Sequence, residues 1–244
     1  MIRKITQCFY TSYVVVTFVI CFVSAFPFMI LCSIGKSASG RKNVIKISRE
    51  CFRFWLFIIG MPLKLIGKKP VGRYLFVANH TSYLDTITIF PAIPGHFRAL
   101  GKTDMEKIPL FGYFYKQAGI LVDRKNAKSK TTSMWQMLQH IKGEGSMLIF
   151  PEGTFNETDK PLKEFYDGAF HLAITAQTPI LPMIFPDALY RWHYSAWWKF
   201  SPGRNRVIYL DPVPVAGLTL EDLPTLKQQV YTVIENAMIK YRQQ

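Results

Sequence analysis

The sequence predicts an α/β fold: a mixed, largely parallel sheet flanked by helices, with an N-terminal membrane-anchoring helical segment in front. Three observations predict it. From residue 74 onward, short apolar runs alternate with helical stretches, the order that β-α-β units produce. From Ile5 to Gly35 there is no charged residue, a run longer than the about 20 residues a helix needs to cross a bilayer. The charge is divided to match. Residues 1–73 hold twelve Lys or Arg against one acid, Glu50, whereas the rest of the chain holds eighteen bases and fifteen acids.

The 244 residues suit one domain of ordinary size with an appendage, divided as 1–70, anchoring helices, and 71–244, the α/β domain. A net charge of +14 could mean nucleic acid, but such binders carry the basic face on the folded domain itself. Here the excess surrounds the most apolar part of the chain, which suits an anionic membrane surface at roughly 1 kcal/mol per basic residue. The four cysteines, Cys8, Cys21, Cys32 and Cys51, all lie in that part. The α/β domain therefore has no thiolate nucleophile, disulfide or cysteine metal site.

Within the charge-free run, Arg3 and Lys4 make a basic start like that of a signal peptide. The apolar stretch exceeds the roughly 7–15 residues of a signal core, and no small-residue cleavage site follows. Lys36, Arg41, Lys42, Lys46 and Arg49 make the other flank basic too. A simple span would leave one basic flank outside, and a segment dipping into one leaflet would keep both on the cytoplasmic side.

From Val44 to Ile66, Lys46, Arg49, Glu50, Arg53 and Lys64 fall on one helical stripe. Phe52, Phe54, Trp55, Ile58 and other apolar residues fill the rest, the pattern of a helix lying in the membrane interface or, as the alternative, of a core helix in a soluble domain. Gly60 and Pro62 bend or end it. Strands are expected at 74–78, 97–100, 118–122, 146–150, 180–184 and 206–210. Helices are expected at 83–90, 110–116, 127–141, 168–176 and 223–241. The aromatic stretch of Tyr190, Trp192, Tyr194, Trp197 and Trp198 reads as a membrane-facing belt or a packed surface loop.

Chemistry concentrates at strand ends. Asn79, His80, Thr81, Ser82, Tyr83, Leu84 and Asp85 follow the first of those strands. A histidine titrates near neutral pH. An acid five residues on, across a strand-to-helix turn, can return to one ring nitrogen, fix the tautomer and stabilise the imidazolium. None of His96, His140, His171 and His193 has an acid at that spacing. Phe150, Pro151, Glu152, Gly153 and Thr154 end another strand, where open α/β sheets bind ligands. Gly153 lets backbone approach an anion, Thr154 adds a hydroxyl, and Glu152 could hold a substrate hydroxyl; a plain turn is the alternative. Arg124 follows the strand expected at 118–122, after Asp123, and could fork onto a phosphate; a surface turn of Asp123 and Arg124 is the alternative. Prolines bracket the strand at Thr178, Pro179, Ile180, Leu181 and Pro182.

In order and spacing, these blocks make residues 73–215 resemble the glycerolipid acyltransferase family, whose bacterial members include 1-acylglycerol-3-phosphate acyltransferases. His80 and Asp85 match its His-x4-Asp, and Phe150–Thr154 its Phe-Pro-Glu-Gly-Thr. Gly119–Arg124 matches its Gly-to-Asp-Arg block, one residue shorter, and Pro179–Pro182 its proline block. Lys102, with Pro109 and Gly112, resembles its stretch between the first two blocks.

The resemblance implies a lysophospholipid acyltransferase. His80 would deprotonate the acceptor hydroxyl and Asp85 would orient it. Lys102 and Arg124 would hold the acceptor phosphate. Asn79, Glu152, Gly153 and Thr154 would complete the binding set. It implies acyl-CoA or acyl-ACP (acyl carrier protein) as co-substrate, no other cofactor and no metal. It also implies a place on the cytoplasmic face of a membrane, in a bacterium the inner membrane. Many phosphatidic-acid-forming members have Arg after Gly-Thr, where this chain has Phe155 and Asn156. That leaves another lysolipid, a lyso-aminolipid or one with a larger headgroup, as an alternative acceptor.

Two other classes compete. A lipid hydrolase or thioesterase would use Ser82 as nucleophile, although the sequence has no Gly-x-Ser-x-Gly elbow. A non-catalytic membrane tether would make no use of His80.

Overall fold

A computed structural model describes residues 2–34, 37–143, 145–196 and 198–242. Lys36, Trp197 and the side chains of Arg3 and Lys4 lie outside the described residues. Seven strands are present: β1 (Leu63–Ile66), β2 (Leu75–Ala78), β3 (Phe97–Lys102), β4 (Gly119–Val122), β5 (Ser146–Ile149), β6 (Ile180–Ile184) and β7 (Asn205–Tyr209). They form one sheet in the order β1-β7-β6-β2-β5-β3-β4. Every pairing is parallel except β6 with β7. This is the mixed, largely parallel sheet that strand–helix alternation predicts.

Side chains alternate across the strands, so each strand feeds two cores. Phe76 and Ala78 of β2 join a core with Phe97, Leu148, Met183 and Val207, while Leu75 and Val77 join another with Met147, Ile149 and Ile208. Four helices, with Ala188 in the turn after β6, contribute buried residues to the first core: α1 (Ile2–Ser33), α2 (Ala38–Ile58), α3 (Tyr83–Ala92) and α4 (Phe111–Ala118). The second is covered by α5 (Ala127–Gly143), α6 (Gly168–Ala176) and α8 (Leu223–Arg242). A single turn, α7 (Ala188–Arg191), follows β6. Every strand and helix expected from residue 74 onward is present, with ends moved by at most two residues.

The second N-terminal segment departs from expectation. A helix over 44–66 was predicted, but α2 runs Ala38–Ile58 and residues 63–66 form edge strand β1, paired with β7. Ser37 caps the start by accepting the Gly40 N–H at 3.0 Å, satisfying one of the first-turn donors. Gly60 then takes a left-handed φ of 71° and Pro62 has no N–H to continue the ladder. The chain past that turn is free to join the sheet.

Both N-terminal helices pack on the body of the fold. Phe52 and Trp55 of α2 are 2% and 1% exposed, and Phe52 meets the rings of Phe18, Phe90 and Phe114. Gly40 lies where a Cβ would stand 2.1 Å from the Cys32 carbonyl, so only glycine lets the two helices turn this closely. Near its start, α1 donates from Gln7 Nε2 to the Phe200 carbonyl at 2.6 Å and from Thr11 Oγ1 to the Trp198 carbonyl at 2.5 Å. At its far end, Ser33 Oγ meets the Tyr113 hydroxyl at 2.7 Å. The outer face stays apolar and open, with Phe9, Phe28, Leu31, Phe54 and Phe57 more than half exposed. Among the described residues α1 alone is long and apolar enough to cross a membrane, which points to membrane association.

Phe52→Ala should lower unfolding free energy by about 3–5 kcal/mol, the cost of emptying an aromatic core site. A denaturant titration checks this; a change under about 1 kcal/mol would mean that the N-terminal helices add little to the core.

Candidate active site

The site lies at the carboxyl edge of the parallel strands. Strand β2 ends at Ala78, and the chain turns through Asn79–Ser82 into α3. Ser82 is the N-cap, its hydroxyl accepting the Leu84 N–H at 3.0 Å, while Asp85 in the first turn reaches back to the cap backbone. This is a capping box with Asp in the role Glu or Gln more often fills.

The Asp85 carboxylate does more than cap. Its Oδ2 accepts the Thr81 N–H at 2.7 Å and the Ser82 N–H at 2.9 Å, and lies 3.1 Å from His80 Nδ1. It is fully buried, while His80 keeps 14% side-chain exposure. A carboxylate held by two backbone donors is an acceptor, so Nδ1 carries the proton toward it and Nε2 is left with its lone pair. The imidazole stacks on Phe150, 4.1 Å between centroids and 13° between planes, and meets Phe155 edge-on at 4.4 Å. Phe155 in turn packs on Tyr83, and Tyr83 on Trp192. The ring is thus held by one polar contact and two aromatic walls.

Glu152 fixes the other side of the turn. Its Oε1 accepts the His80 backbone N–H at 2.7 Å and its Oε2 accepts the Lys163 N–H at 2.9 Å. The His80 carbonyl accepts the Asn156 N–H at 2.7 Å. Burial pushes the Glu152 carboxyl up to about 7, against the pull of those two N–H groups. The sequence reading placed Glu152 on the substrate; the structure shows its carboxylate joining the loops after β2 and β5. Asn79 is likewise buried, its Oδ1 accepting the Phe185 N–H at 2.8 Å, and its amide nitrogen has no partner among the described residues.

Two cations leave the same edge of the sheet. Lys102 ends β3 opposite Val122 of β4, so Arg124, two residues on, leaves the sheet next to it. Arg124 Nη1 donates to the Gly153 carbonyl. Gly153 has a φ of 76°, and a Cβ there would stand 2.7 Å from the Tyr166 ring, so this turn needs glycine. Lys102 is exposed and paired with Asp104 at 2.6 Å. That contact, with smaller help from Lys107 and Lys125, holds the Asp104 carboxyl below its usual range.

Sequence reasoning missed Lys163, whose Nζ donates to Thr154 Oγ1 at 2.7 Å. It lies eleven residues past Glu152 in a loop without periodicity, and no signal in the sequence marks it. Ser82, the nucleophile of the hydrolase reading, is buried with its hydroxyl donating to the Trp192 carbonyl at 2.5 Å. It is a structural cap, not a free nucleophile.

Comparison with known proteins adds four findings. The family model described as Acyltransferase matches residues 64–186. The 1-acyl-sn-glycerol-3-phosphate acyltransferase alpha of Ovis aries is 30% identical over 210 residues, covering 83% of this chain and 72% of that one. The 1-acyl-sn-glycerol-3-phosphate acyltransferase of Haemophilus influenzae is 29% identical over 170 residues, covering 69% of each. The crystal structure of the 1-acyl-sn-glycerophosphate acyltransferase of Thermotoga maritima superposes with a TM-score of 0.76 at 20% identity, over 100% of this chain and 98% of that one, which shows a shared fold.

Glu152→Gln should lower stability by roughly 1–3 kcal/mol, because an amide has one acceptor oxygen for two buried N–H groups. A carboxyl raised by burial favours the fold while protonated. Its contribution is therefore full below the ordinary 4.5 and is lost as pH rises through about 7. The wild-type unfolding free energy should fall over that window and the variant's should fall less. Unchanged stability with a raised acceptor KM would instead put Glu152 on the substrate.

Proposed function

This chain belongs to the acyltransferase family, and from that premise we propose that it acylates the free hydroxyl of 1-acyl-sn-glycerol-3-phosphate from an acyl thioester, giving phosphatidic acid. The observation that carries the reading is the His80 Nδ1 contact with a buried Asp85, 3.1 Å long, beside Arg124 and Lys102. The relatives named above supply the acceptor.

In this mechanism Nε2 of His80 takes the proton of the acceptor hydroxyl as its oxygen attacks the thioester carbonyl. Asp85 stabilises the imidazolium. The tetrahedral intermediate collapses, the C–S bond breaks, and the thiolate leaves with the proton returned from Nε2 as a thiol. A thioester is already activated, so no protein nucleophile is required. General-base catalysis accounts for about 10²–10⁴-fold, and the fixed orientation of both substrates supplies further acceleration.

Arg124 and Lys102 hold the acceptor phosphate. Acyl-CoA or acyl-ACP serves as donor.

The open apolar face of α1 and α2 enters one leaflet on the cytoplasmic side. A helix standing across a bilayer would meet its own domain at one end only. Here α1 is bonded to the body at Thr11 and at Ser33, contacts about 33 Å apart along a helix, which favours a dip over a span.

His80→Ala should lower turnover by at least about 10²–10⁴-fold with the fold intact, measured as phosphatidic acid formed from a panel of lysolipids. Retained turnover would remove the base, and preference for another lysolipid would replace the acceptor. Phe54→Glu with Phe57→Glu should cut partitioning into anionic vesicles several-fold, through lost apolar burial. Undiminished binding would refute the docking face.

A further inference from the structure

A transfer between two phosphate-bearing lipidic substrates has an electrostatic difficulty: both carry negative charge, and both must bring their reacting atoms to one imidazole edge. Separate cationic seats on either side of the base remove it. Two cations bond the 152–154 turn. Arg124 bonds Gly153, in the group already given to the acceptor. Lys163 bonds Thr154 and also lines a cleft of about 510 Å³ between the loop after β5 and α8.

That cleft is cationic and has no assigned role. Lys160, Lys163 and Lys227 line it against one carboxylate, Glu164. Lys227 is steadied by Asp167 at 2.6 Å, a bond that uses one of its three N–H donors and leaves two. Tyr231 forms part of the wall. Lys163, whose backbone N–H is held by Glu152 at 2.9 Å, ties the cleft to the residue that holds the His80 backbone.

We infer that this cleft seats the phosphate of the acyl donor's phosphopantetheine arm. That phosphate is common to acyl-CoA and acyl carrier protein, so the seat serves either carrier and leaves the Arg124 side to the acceptor. The inference rests on the acyl-transfer reading above. A phosphate here needs no base recognition, only cations with free donors, and lysine provides these as point charges.

The experiment uses the full-length Lys160→Ala/Lys227→Ala protein, both substitutions lying outside the catalytic set. Donors are S-acyl-pantetheine, S-acyl-4′-phosphopantetheine, acyl-CoA and acyl carrier protein. For S-acyl-4′-phosphopantetheine, kcat/KM should fall roughly tenfold through KM, the scale of two lost contacts to a solvent-facing phosphate. For S-acyl-pantetheine, which lacks the phosphate, it should not change, and the acceptor KM should stay constant. Loss with acyl-CoA as well, with acyl carrier protein as well, or with both identifies the carriers that use the seat. Equal loss with S-acyl-pantetheine, no loss with S-acyl-4′-phosphopantetheine, or a raised acceptor KM overturns it. Lys160→Ala alone, at an exposed position, serves if the double variant is unstable. Wild-type protein inactive with every donor would instead sink the acyl-transfer reading.

Discussion

One buried carboxylate organises the site. Asp85 Oδ2 accepts two backbone N–H groups and lies against His80 Nδ1, so helix start, loop shape and ring orientation depend on a single atom. The spacing of five residues between histidine and acid is the spacing of a helix cap: the acid occupies the third helical position and the histidine lies two residues before the N-cap. Hydrogen bonds to a charged acceptor are worth about 1.5–3 kcal/mol each. The base is therefore positioned by the same bonds that begin α3 and needs no separate scaffold.

Glu152 repeats the device from the neighbouring strand. Its two oxygens clasp the His80 and Lys163 backbones, joining the ends of β2 and β5, which are adjacent and parallel. Phe150 and Phe155 then close on the imidazole. Both carboxylates act on backbone first. His80 keeps partial exposure beside these clasped loops, while Lys102, Arg124 and Lys163 leave β3, β4 and the loop after β5. The parallel part of the sheet makes this possible, because β2, β3, β4, β5 and β6 all deliver their carboxyl ends to one edge.

The N-terminal helices are part of the same body. Their inner face completes one of the two cores, with Phe52 meeting α1, α3 and α4, while their outer face is apolar and open. The segment that would bring the enzyme to its lipid also stabilises the sheet carrying the base.

Much was legible in the sequence, for a physical reason. Strand and helix periods and the Gly153 turn are local, and local geometry follows from residues a few positions apart. The pairing of His80 with Asp85 is of this kind, as are the six strands and five helices from residue 74 onward. The end of α2 was misplaced because an amphipathic pattern ran on past Gly60, and only pairing with β7 makes strand of residues 63–66. The tertiary structure alone decided what the polar side chains meet. Glu152 reaches His80 across 72 residues and Asn79 reaches Phe185 across 106. Lys163 came to Thr154 through a loop without a pattern. Such contacts depend on which strands are neighbours in the sheet, and strand order is set by the packing of whole layers, which no short stretch of chain encodes.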